Sequence, residues 1–140
     1  MMLMIIFFVA QNYKNKSLSE ILDLKKLEAV NKPIETANGL PNECYINEDY
    51  LAYEKEKVFC DKWTVIGVAS SIPNPGDVKP YNLLGIPLIL IRGKDMKIRV
   101  FHNVCSHRGF KLLDKQCTLK NVIRCPYHFW SYDFEGNLVA

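Results

Sequence analysis

The stretch "CSHRGFKLLDKQCTLKNVIRCPYHFW", residues 105–130, contains two Cys/His pairs in a chain that has only three histidines. Cys105 is followed by His107, and Cys125 is followed by His128. Each pair comes after a strand-like run, IRVFHNV or NVIR, and leads into turn-forming residues. We therefore expect two neighbouring loops at one end of a sheet, carrying four side chains of the types that bind metals.

The way the ligands are shared between the two loops distinguishes two kinds of metal site. Structural zinc sites usually group like residues, with a pair of cysteines in one loop and a pair of histidines in the other. Here each loop supplies one Cys and one His, as a [2Fe-2S] cluster requires when one iron has two thiolates and the other has two imidazoles. We interpret the four residues as ligands of such a cluster, with a zinc site as the alternative.

The ligand pattern also resembles a known family. C-x-H, seventeen residues, C-x-x-H is similar to the Rieske signature. The flanking NVCSHRG and CPYHFWSYDFEGNL, with EKVFCDKWTVIG, PNPGD and PLILIRGKDMKIRVFHN upstream, look like the Rieske domain of oxygenase α subunits, the ring-hydroxylating dioxygenases and their monooxygenase and demethylase relatives. Phe129 stands where many relatives have Gly, and we expect this difference to alter only local packing.

Hydrophobic patterning and the resemblance together predict a mainly β protein with helices before it. SLSEILDLKKLEAV (17–30) predicts a helix that begins with a Ser17/Glu20 capping box, and NEDYLAYEKEKVF (47–59) predicts a second. Short strands are predicted in WTVIGVA (63–69), PLILIRG (87–93), KIRVFHNV (97–104) and NVIRC (121–125), and a hairpin turn in SYDFEGNL (131–138).

We divide the chain accordingly. Residues 1–42 form an N-terminal helical extension or linker, and residues 43–140 form a small antiparallel Rieske-type β domain with two cluster-binding loops. The apolar run MMLMIIFFVA at residues 1–10 is too short to span a bilayer as a helix and lacks the features of a secretory signal. We expect it to be a buried strand or the product of a start codon assigned too early.

Residues near the predicted ligands indicate the type of cluster. High-potential respiratory Rieske proteins resemble one another in a disulfide between the loops and in a Ser two residues after the second His. This chain has Phe110 and Tyr127 at the disulfide positions and Trp130 at the Ser position. The resemblance therefore implies a low-potential cluster, near the negative end of the range of roughly −150 to +300 mV.

Four further residues are predicted to support the cluster. Arg108 either binds a partner's carboxylate or caps the first loop, and Gly109 allows the backbone to approach the cluster closely. Trp130 and Tyr132 either cover the cluster against water or pack in the core. The basic residues between the two ligand pairs either dock an acidic electron donor or are solvated loop charges.

The resemblance implies an oxidoreductase in which a Rieske cluster accepts electrons and feeds a mononuclear Fe(II) site held by two histidines and one carboxylate. After the cluster ligands only His102 remains, so we expect no catalytic residue in this chain and place the mononuclear iron in a missing catalytic domain. We interpret the chain as the N-terminal part of an oxygenase α subunit. The alternatives are a stand-alone Rieske ferredoxin and a zinc-stabilised interaction module.

Composition and the resemblance together predict the compartment and the partners of the protein. A net charge of +3 gives no indication of nucleic-acid binding. Five cysteines at irregular spacings are a poor disulfide framework and favour a reducing, cytoplasmic compartment, so Cys44, Cys60 and Cys117 are predicted to be free thiols. The expected partners are an electron-donating reductase or ferredoxin and neighbouring oxygenase subunits in a homo-oligomer. We expect no association with a membrane.

Overall fold

The computed structural model describes residues 16–140, which form two compact units, residues 16–65 and residues 66–140. The prediction for the apolar run at residues 1–10 lies outside the described residues. Within residues 16–140, no helix combines the length and the apolar character needed to cross a membrane.

Short helices make up the unit at residues 16–65: α1 (Leu18–Ile21), α2 (Leu24–Glu28), α3 (Glu43–Ile46), α4 (Glu48–Glu54) and a π-helical turn (Lys55–Phe59). The single helix predicted at 17–30 is therefore wrong, because Leu22 is extended and ends α1. Asp23 then begins α2 by accepting a hydrogen bond from the Lys25 N–H at 3.0 Å. An Asp side chain favours such a cap over the interior of a helix.

The second predicted helix is confirmed as α4 and its π-helical extension. The Asn47 carboxamide oxygen accepts hydrogen bonds from the N–H groups of Asp49, at 2.8 Å, and Tyr50, at 3.1 Å. These bonds satisfy two of the backbone donors that a helix leaves unpaired at its first turn. Acidic Glu48 and Asp49 lie in that turn, where the helix dipole favours negative charge.

Antiparallel strands make up the unit at residues 66–140, which confirms the predicted fold class. One sheet has the order β3-β2-β1-β4 and the other pairs β5 with β6. The strands are β1 (Asp77–Leu83), β2 (Ile86–Arg92), β3 (Ile98–His102), β4 (Cys117–Thr118), β5 (Ile123–Arg124) and β6 (Ser131–Tyr132), and a 3-10 turn (Ala69–Ser71) precedes them.

The strand predictions contain two errors, one strand predicted wrongly and one strand missed. The predicted strand at 63–69 is wrong: residues 63–68 are not in a strand, and Trp63 and Val65 are among the most exposed apolar side chains of the described residues. In contrast, β1 was missed. Pro80 lies within it, and proline cannot donate a hydrogen bond to a sheet. The sheet accepts Pro80 because β4 pairs only with Asp77 and Val78, so that no strand within residues 16–140 pairs with this edge of β1 at Pro80.

The hairpin turn predicted around Glu135-Gly136 is confirmed. The Asp133 N–H donates to the Asn137 carbonyl at 2.9 Å, and the Asp133 carboxylate accepts from the N–H groups of Glu135, at 3.0 Å, and Asn137, at 2.7 Å. Gly136 has φ +90°, which glycine tolerates better than other residues. This turn brings the residues after β6 back alongside it.

The core of the β unit includes the predicted cysteine ligands. Val78, Ile89 and Ile91 are fully buried, and each such side chain contributes about 1.5–3 kcal/mol through burial. The same cluster of buried residues contains Cys105 and Cys125, together with Leu112, Ile123, Tyr132 and Phe134. The two loops are therefore fixed at their cysteines by the most tightly packed part of the unit.

Candidate metal centre

The first loop runs from Cys105 to Phe110, shortly after the end of β3. The Cys105 N–H donates to the Phe110 carbonyl at 2.7 Å, and the Gly109 N–H donates to the Cys105 carbonyl at 2.9 Å. Gly109 has φ +68°, a left-handed conformation in which glycine avoids the clash of a Cβ atom. The chain therefore turns back at Gly109 and closes the loop on its own cysteine.

The second loop, Cys125 to Trp130, has the same two backbone hydrogen bonds. The Cys125 N–H donates to the Trp130 carbonyl at 2.8 Å, and the Phe129 N–H donates to the Cys125 carbonyl at 3.1 Å. Phe129 has φ +62° and so occupies the position equivalent to Gly109. The expectation that Phe129 alters only local packing is wrong, because the residue also adopts a backbone conformation that costs a non-glycine residue roughly 1–2 kcal/mol.

The four predicted ligands are brought together with their sulfurs inside and their imidazoles outside. Cys105 and Cys125 are each 2% exposed, whereas His107 and His128 are exposed at the surface. The centroids of the two imidazole rings are 4.9 Å apart, with an angle of 64° between the ring planes. The Cys125 thiol is among the groups that lower the pKa of the Cys105 thiol. The loops therefore present a buried pair of thiols and an exposed pair of imidazoles.

This arrangement fits a two-iron cluster by the chemistry of its donors. Among residues 16–140, no group of three or more Cys, His, Asp or Glu side chains is placed to hold a single metal ion. A Rieske cluster does not need such a group, because two thiolates bind one iron and two imidazoles bind the other. The residues present match that division into two pairs.

The Tyr132 hydroxyl lies against the first cysteine. It is 3.3 Å from the Cys105 sulfur, accepts a hydrogen bond from the Ser106 N–H at 3.1 Å and is 2.8 Å from the Ser106 hydroxyl oxygen. Tyr132 is 1% exposed, so its contact with sulfur is shielded from water. Sequence analysis placed Tyr132 near the cluster but missed Ser106, because nothing in the sequence indicates that these two residues, 26 positions apart, are in contact.

The surroundings of Cys105 and His107 favour the protonation states that bind metals. Burial raises the pKa of the Cys105 thiol, but hydrogen bonds from the Tyr132 hydroxyl and the His107 backbone N–H outweigh burial and hold its pKa below the usual value. Burial also raises the pKa of Tyr132, which keeps its hydroxyl protonated. Desolvation, with the nearby charges of His128 and Arg108, lowers the pKa of His107. Thiolates and neutral imidazoles are the forms that ligate iron.

Each imidazole has an aromatic neighbour. The indole of Trp130 stacks on His107 with ring centroids 4.7 Å apart and an angle of 10° between the planes. The ring of Tyr127 lies 3.8 Å from that of His128, centroid to centroid. Trp130 is half-buried and packs against the buried residues that include Cys105 and Cys125, so its role in covering the cluster against water stays a prediction. Both contacts restrict the rotation of an imidazole that is otherwise exposed.

Asn103 is a supporting residue that sequence analysis missed. Its side-chain oxygen accepts from the Leu113 N–H at 2.9 Å, and its amide nitrogen donates to the Leu113 carbonyl at 2.6 Å. Asn103 is 1% exposed, and the bonds join the two ends of the segment that contains the first loop. Buried amides that are fully hydrogen-bonded in this way resist substitution.

The remaining predicted residues lie as follows. Arg108 is exposed next to His107, and His102 is half-buried on β3, opposite Leu88. All five cysteines are free of disulfide bonds, which confirms the prediction of free thiols outside the ligand pairs. Cys117 belongs to β4, outside both loops in the chain, and packs against the buried cluster that contains Cys105 and Cys125.

Comparisons with known proteins agree with this site. The protein-family model described as "Rieske [2Fe-2S] domain" matches residues 62–140. The carnitine monooxygenase oxygenase subunit of Escherichia coli (strain K12) is 38% identical over 99 residues, which cover 71% of this chain and 26% of that protein. The benzene 1,2-dioxygenase subunit alpha of Pseudomonas putida is 30% identical over 131 residues, covering 94% of this chain and 27% of the relative.

Solved structures give the same result. The quaternary ammonium Rieske monooxygenase CntA, in complex with gamma-butyrobetaine, aligns with a TM-score of 0.67 and 37% identity over 72% of this chain and 29% of that one. Naphthalene 1,2-dioxygenase from Rhodococcus sp., with bound indole, aligns with a TM-score of 0.62 and 29% identity over 67% and 21% of the two chains. The chain thus spans about a quarter of the length of the curated relatives described above.

Proposed function

This chain belongs to the Rieske [2Fe-2S] domain family, and from that premise we propose that it transfers single electrons as the Rieske part of an oxygenase α subunit. The main support for the proposal is that two loops, each closed by the same two backbone hydrogen bonds, bring together two buried thiols and two exposed imidazoles. Its relatives are the oxygenase subunits of monooxygenases and dioxygenases, which are oxidoreductases.

Four residues hold the cofactor in this proposal. Cys105 and Cys125 bind one iron through sulfur, and His107 and His128 bind the other through nitrogen. The cluster, when bound, accepts and releases one electron at a time. The cysteines keep their iron in the dry core, since both are almost completely buried. The exposed histidines hold their iron at the surface, so the second nitrogen of either ring is available to a partner, and we assign the exit of the electron to this edge.

Supporting roles go to the residues around the ligands. Tyr132 donates a hydrogen bond toward the Cys105 sulfur, and Trp130 fixes the plane of the His107 ring by stacking. Gly109 provides the left-handed turn that closes the first loop. Arg108 projects from that loop as a positive charge for a partner. The domain limits remain part of the proposal, with residues 43–140 as the Rieske domain and residues 1–42 as its N-terminal extension.

Partners and location are also proposals. One related structure is described in terms of inter-subunit electron transfer in a quaternary ammonium monooxygenase. By analogy, this chain would receive electrons from a reductase or ferredoxin and pass them to a mononuclear iron in a neighbouring subunit of a homo-oligomer. That iron would be held by residues other than these 140, which contain one histidine besides the predicted ligands. Free thiols favour the cytoplasm.

The test is the content and spectroscopy of the purified chain. Protein purified without oxygen should contain iron and acid-labile sulfide in equal amounts, two of each per chain, as the cluster formula requires. It should be diamagnetic when oxidised and give an electron paramagnetic resonance signal when reduced by one electron. Stoichiometric zinc without acid-labile sulfide would contradict the proposal and would instead support a structural metal module.

A further inference from the structure

The Tyr132 hydroxyl has three polar neighbours within the described residues. The Cys105 sulfur is 3.3 Å away, the Ser106 backbone nitrogen is 3.1 Å away and the Ser106 side-chain oxygen is 2.8 Å away. A phenolic hydroxyl has one proton to donate, and its oxygen also accepts hydrogen bonds. Only one of the three neighbours can therefore receive the Tyr132 proton, and the others must donate to the tyrosine oxygen.

The protonation state of Cys105 decides which neighbour receives that proton. A cysteine that binds iron is a thiolate, which accepts hydrogen bonds and has no proton to donate. The Ser106 backbone N–H can only donate, and it does so to the tyrosine oxygen. For the thiolate to be hydrogen-bonded, the Tyr132 proton must point to the Cys105 sulfur. The Ser106 hydroxyl then acts as a second donor to the tyrosine oxygen.

The position of Ser106 in the chain suits it to hold this arrangement. Ser106 lies between the predicted ligands Cys105 and His107, so ligation at both neighbours would fix its backbone. Tyr132 belongs to β6, which follows the second loop. The contacts of Ser106 with the Tyr132 hydroxyl therefore join the first loop to the strand after the second loop. They do so in a chain whose cysteines are all free of disulfide bonds.

Resting on the proposed function, we propose that Ser106 is a positioning residue for the cluster: its hydroxyl donates to the Tyr132 oxygen and so directs the Tyr132 proton to the Cys105 sulfur. Hydrogen bonds in a chain polarise one another, so a donor to the tyrosine oxygen strengthens the bond that the tyrosine donates to sulfur. Tyr132 is 1% exposed, and a site of low dielectric increases this effect. Ser106 thereby raises the reduction potential of the cluster, although it is not a ligand.

The inference is tested by the reduction potential of the cluster-loaded chain, measured by protein-film voltammetry. Ser106→Ala should make reduction about two- to threefold less favourable, which is a decrease of about 20 to 30 mV at 59 mV per tenfold change for one electron. The variant retains the backbone N–H at this position. Because Ser106 is exposed, the substitution leaves no buried cavity.

Ser71→Ala is the matched control for the loss of a serine hydroxyl. The Ser71 hydroxyl donates to the Val68 carbonyl at 2.8 Å, and both residues lie outside the two loops. Its removal deletes a hydrogen bond of the same length without touching the Tyr132 hydroxyl. The reduction potential of Ser71→Ala should equal that of the unmodified chain.

A double-mutant cycle separates an effect through Tyr132 from a direct effect on the cluster. In the Tyr132→Phe chain the tyrosine oxygen is absent, so adding Ser106→Ala should lower the potential no further. Rescue provides a second comparison. Ser106→Thr keeps the hydroxyl and should keep the potential of the unmodified chain. Ser106→Val has a similar shape but no hydroxyl, and it should show the same decrease as Ser106→Ala.

Each outcome supports or overturns the inference. The electron paramagnetic resonance signal of the reduced, unmodified chain shows whether the cluster is present, so a failure of the proposed function is seen before any variant is compared. An unchanged potential in Ser106→Ala, or the same decrease in the Tyr132→Phe chain, would overturn the inference. A higher potential would overturn it too, because it would show that the Ser106 hydroxyl draws the Tyr132 proton away from sulfur. If Ser106→Ala holds no cluster, Ser106→Thr and Ser106→Val decide, and equal potentials in those two would refute it.

Discussion

Gly109 and Phe129 occupy the same structural position in the two loops. Each lies four residues after a cysteine, each donates its N–H to the carbonyl of that cysteine, and each has a left-handed φ, +68° and +62°. The preceding histidines do not share a position, since His107 is two residues after its cysteine and His128 is three. The two loops therefore share one backbone conformation, although the ligand His lies one residue later in the second loop. This conformation favours glycine at its left-handed position, and only the first loop has a glycine there.

Phe129→Gly should stabilise the chain. The substitution removes the left-handed strain of a residue with a Cβ atom and loses little buried surface, since Phe129 is 65% exposed. The gain is partly offset by the greater freedom of glycine in the unfolded chain, so we expect the free energy of unfolding to rise by about 1 kcal/mol. Urea unfolding of the cluster-loaded chain measures it. Phe129→Ala, which keeps the strain, serves as the control and should give no increase.

Tyr132→Phe should lower the reduction potential. The hydroxyl of Tyr132 lies 3.3 Å from the Cys105 sulfur, and a donor to that sulfur stabilises the more negative, reduced cluster. Loss of a hydrogen bond to a charged group costs about 1.4 kcal/mol, which corresponds to about 60 mV for one electron. Protein-film voltammetry should show a decrease of that order. Tyr53→Phe, in α4, is the control, and an equal decrease there would contradict the assignment to the Tyr132 hydroxyl.

The unmodified chain should have a potential near the negative end of the Rieske range of roughly −150 to +300 mV. The reason is the absence of an inter-loop disulfide, since Phe110 and Tyr127 stand where respiratory relatives have cysteines, and the replacement of a Ser by Trp130. The Tyr132 hydroxyl supplies one hydrogen-bond donor to sulfur, but it does not replace both the disulfide and the Ser hydroxyl. Voltammetry without variants checks this directly, and a value near the positive end would show the prediction to be wrong.

Cys105→Ser should abolish the cluster. Serine oxygen is a poor ligand for iron compared with thiolate, and Cys105 is buried with its sulfur beside Tyr132. We expect loss of the visible absorption, the acid-labile sulfide and the reduced-state resonance signal. Cys117→Ser is the matched control because Cys117 belongs to β4 and lies outside both loops, and its cluster content should match that of the unmodified chain. Equal loss in both variants would contradict the ligand assignment.

Asp77 should make the stability of the chain depend on acid pH. Its carboxylate accepts a hydrogen bond from the Thr118 hydroxyl at 2.6 Å and from the Asn74 N–H at 2.8 Å, and these bonds hold the pKa of Asp77 below its usual value in the folded chain. A lowered folded-state pKa contributes stability above the unfolded value, about 3.9, and that contribution is lost as the pH falls through the folded value.

Asp77→Asn should therefore reduce the loss of stability on acidification. Thermal unfolding of the metal-free chain at several pH values below about 5 measures the slope, which should be smaller in Asp77→Asn than in the unmodified chain. At neutral pH the variant should be the less stable of the two, because the neutral amide loses charge-assisted hydrogen bonds. Identical slopes for the two proteins would exclude Asp77 as a source of the acid sensitivity.

Local patterns were most informative where neighbours along the chain decide the structure. The runs that became β2 and β3 were predicted because they are short, rich in β-branched residues and separated by turn-forming residues. The helix after Asn47 was predicted because its cap and acidic first turn lie in the sequence. The run at 63–69 has the composition of a strand but pairs with no strand in the described part of the chain. In β1, Pro80 lies where no described strand pairs with the β4 side of the strand. Correct and incorrect strand predictions differ in whether the segment pairs with another strand, which composition does not determine.

The sequence by itself determined which atoms can bind iron, because donor chemistry belongs to the residue type and the spacing assigns one Cys and one His to each loop. Only the tertiary structure decided that the sulfurs are buried and the imidazoles exposed, since burial depends on packing among residues far apart in the chain. It also brought the Tyr132 hydroxyl to the Cys105 sulfur and gave Phe129 the backbone position of Gly109. Such contacts are set by three-dimensional packing, which no local spacing encodes.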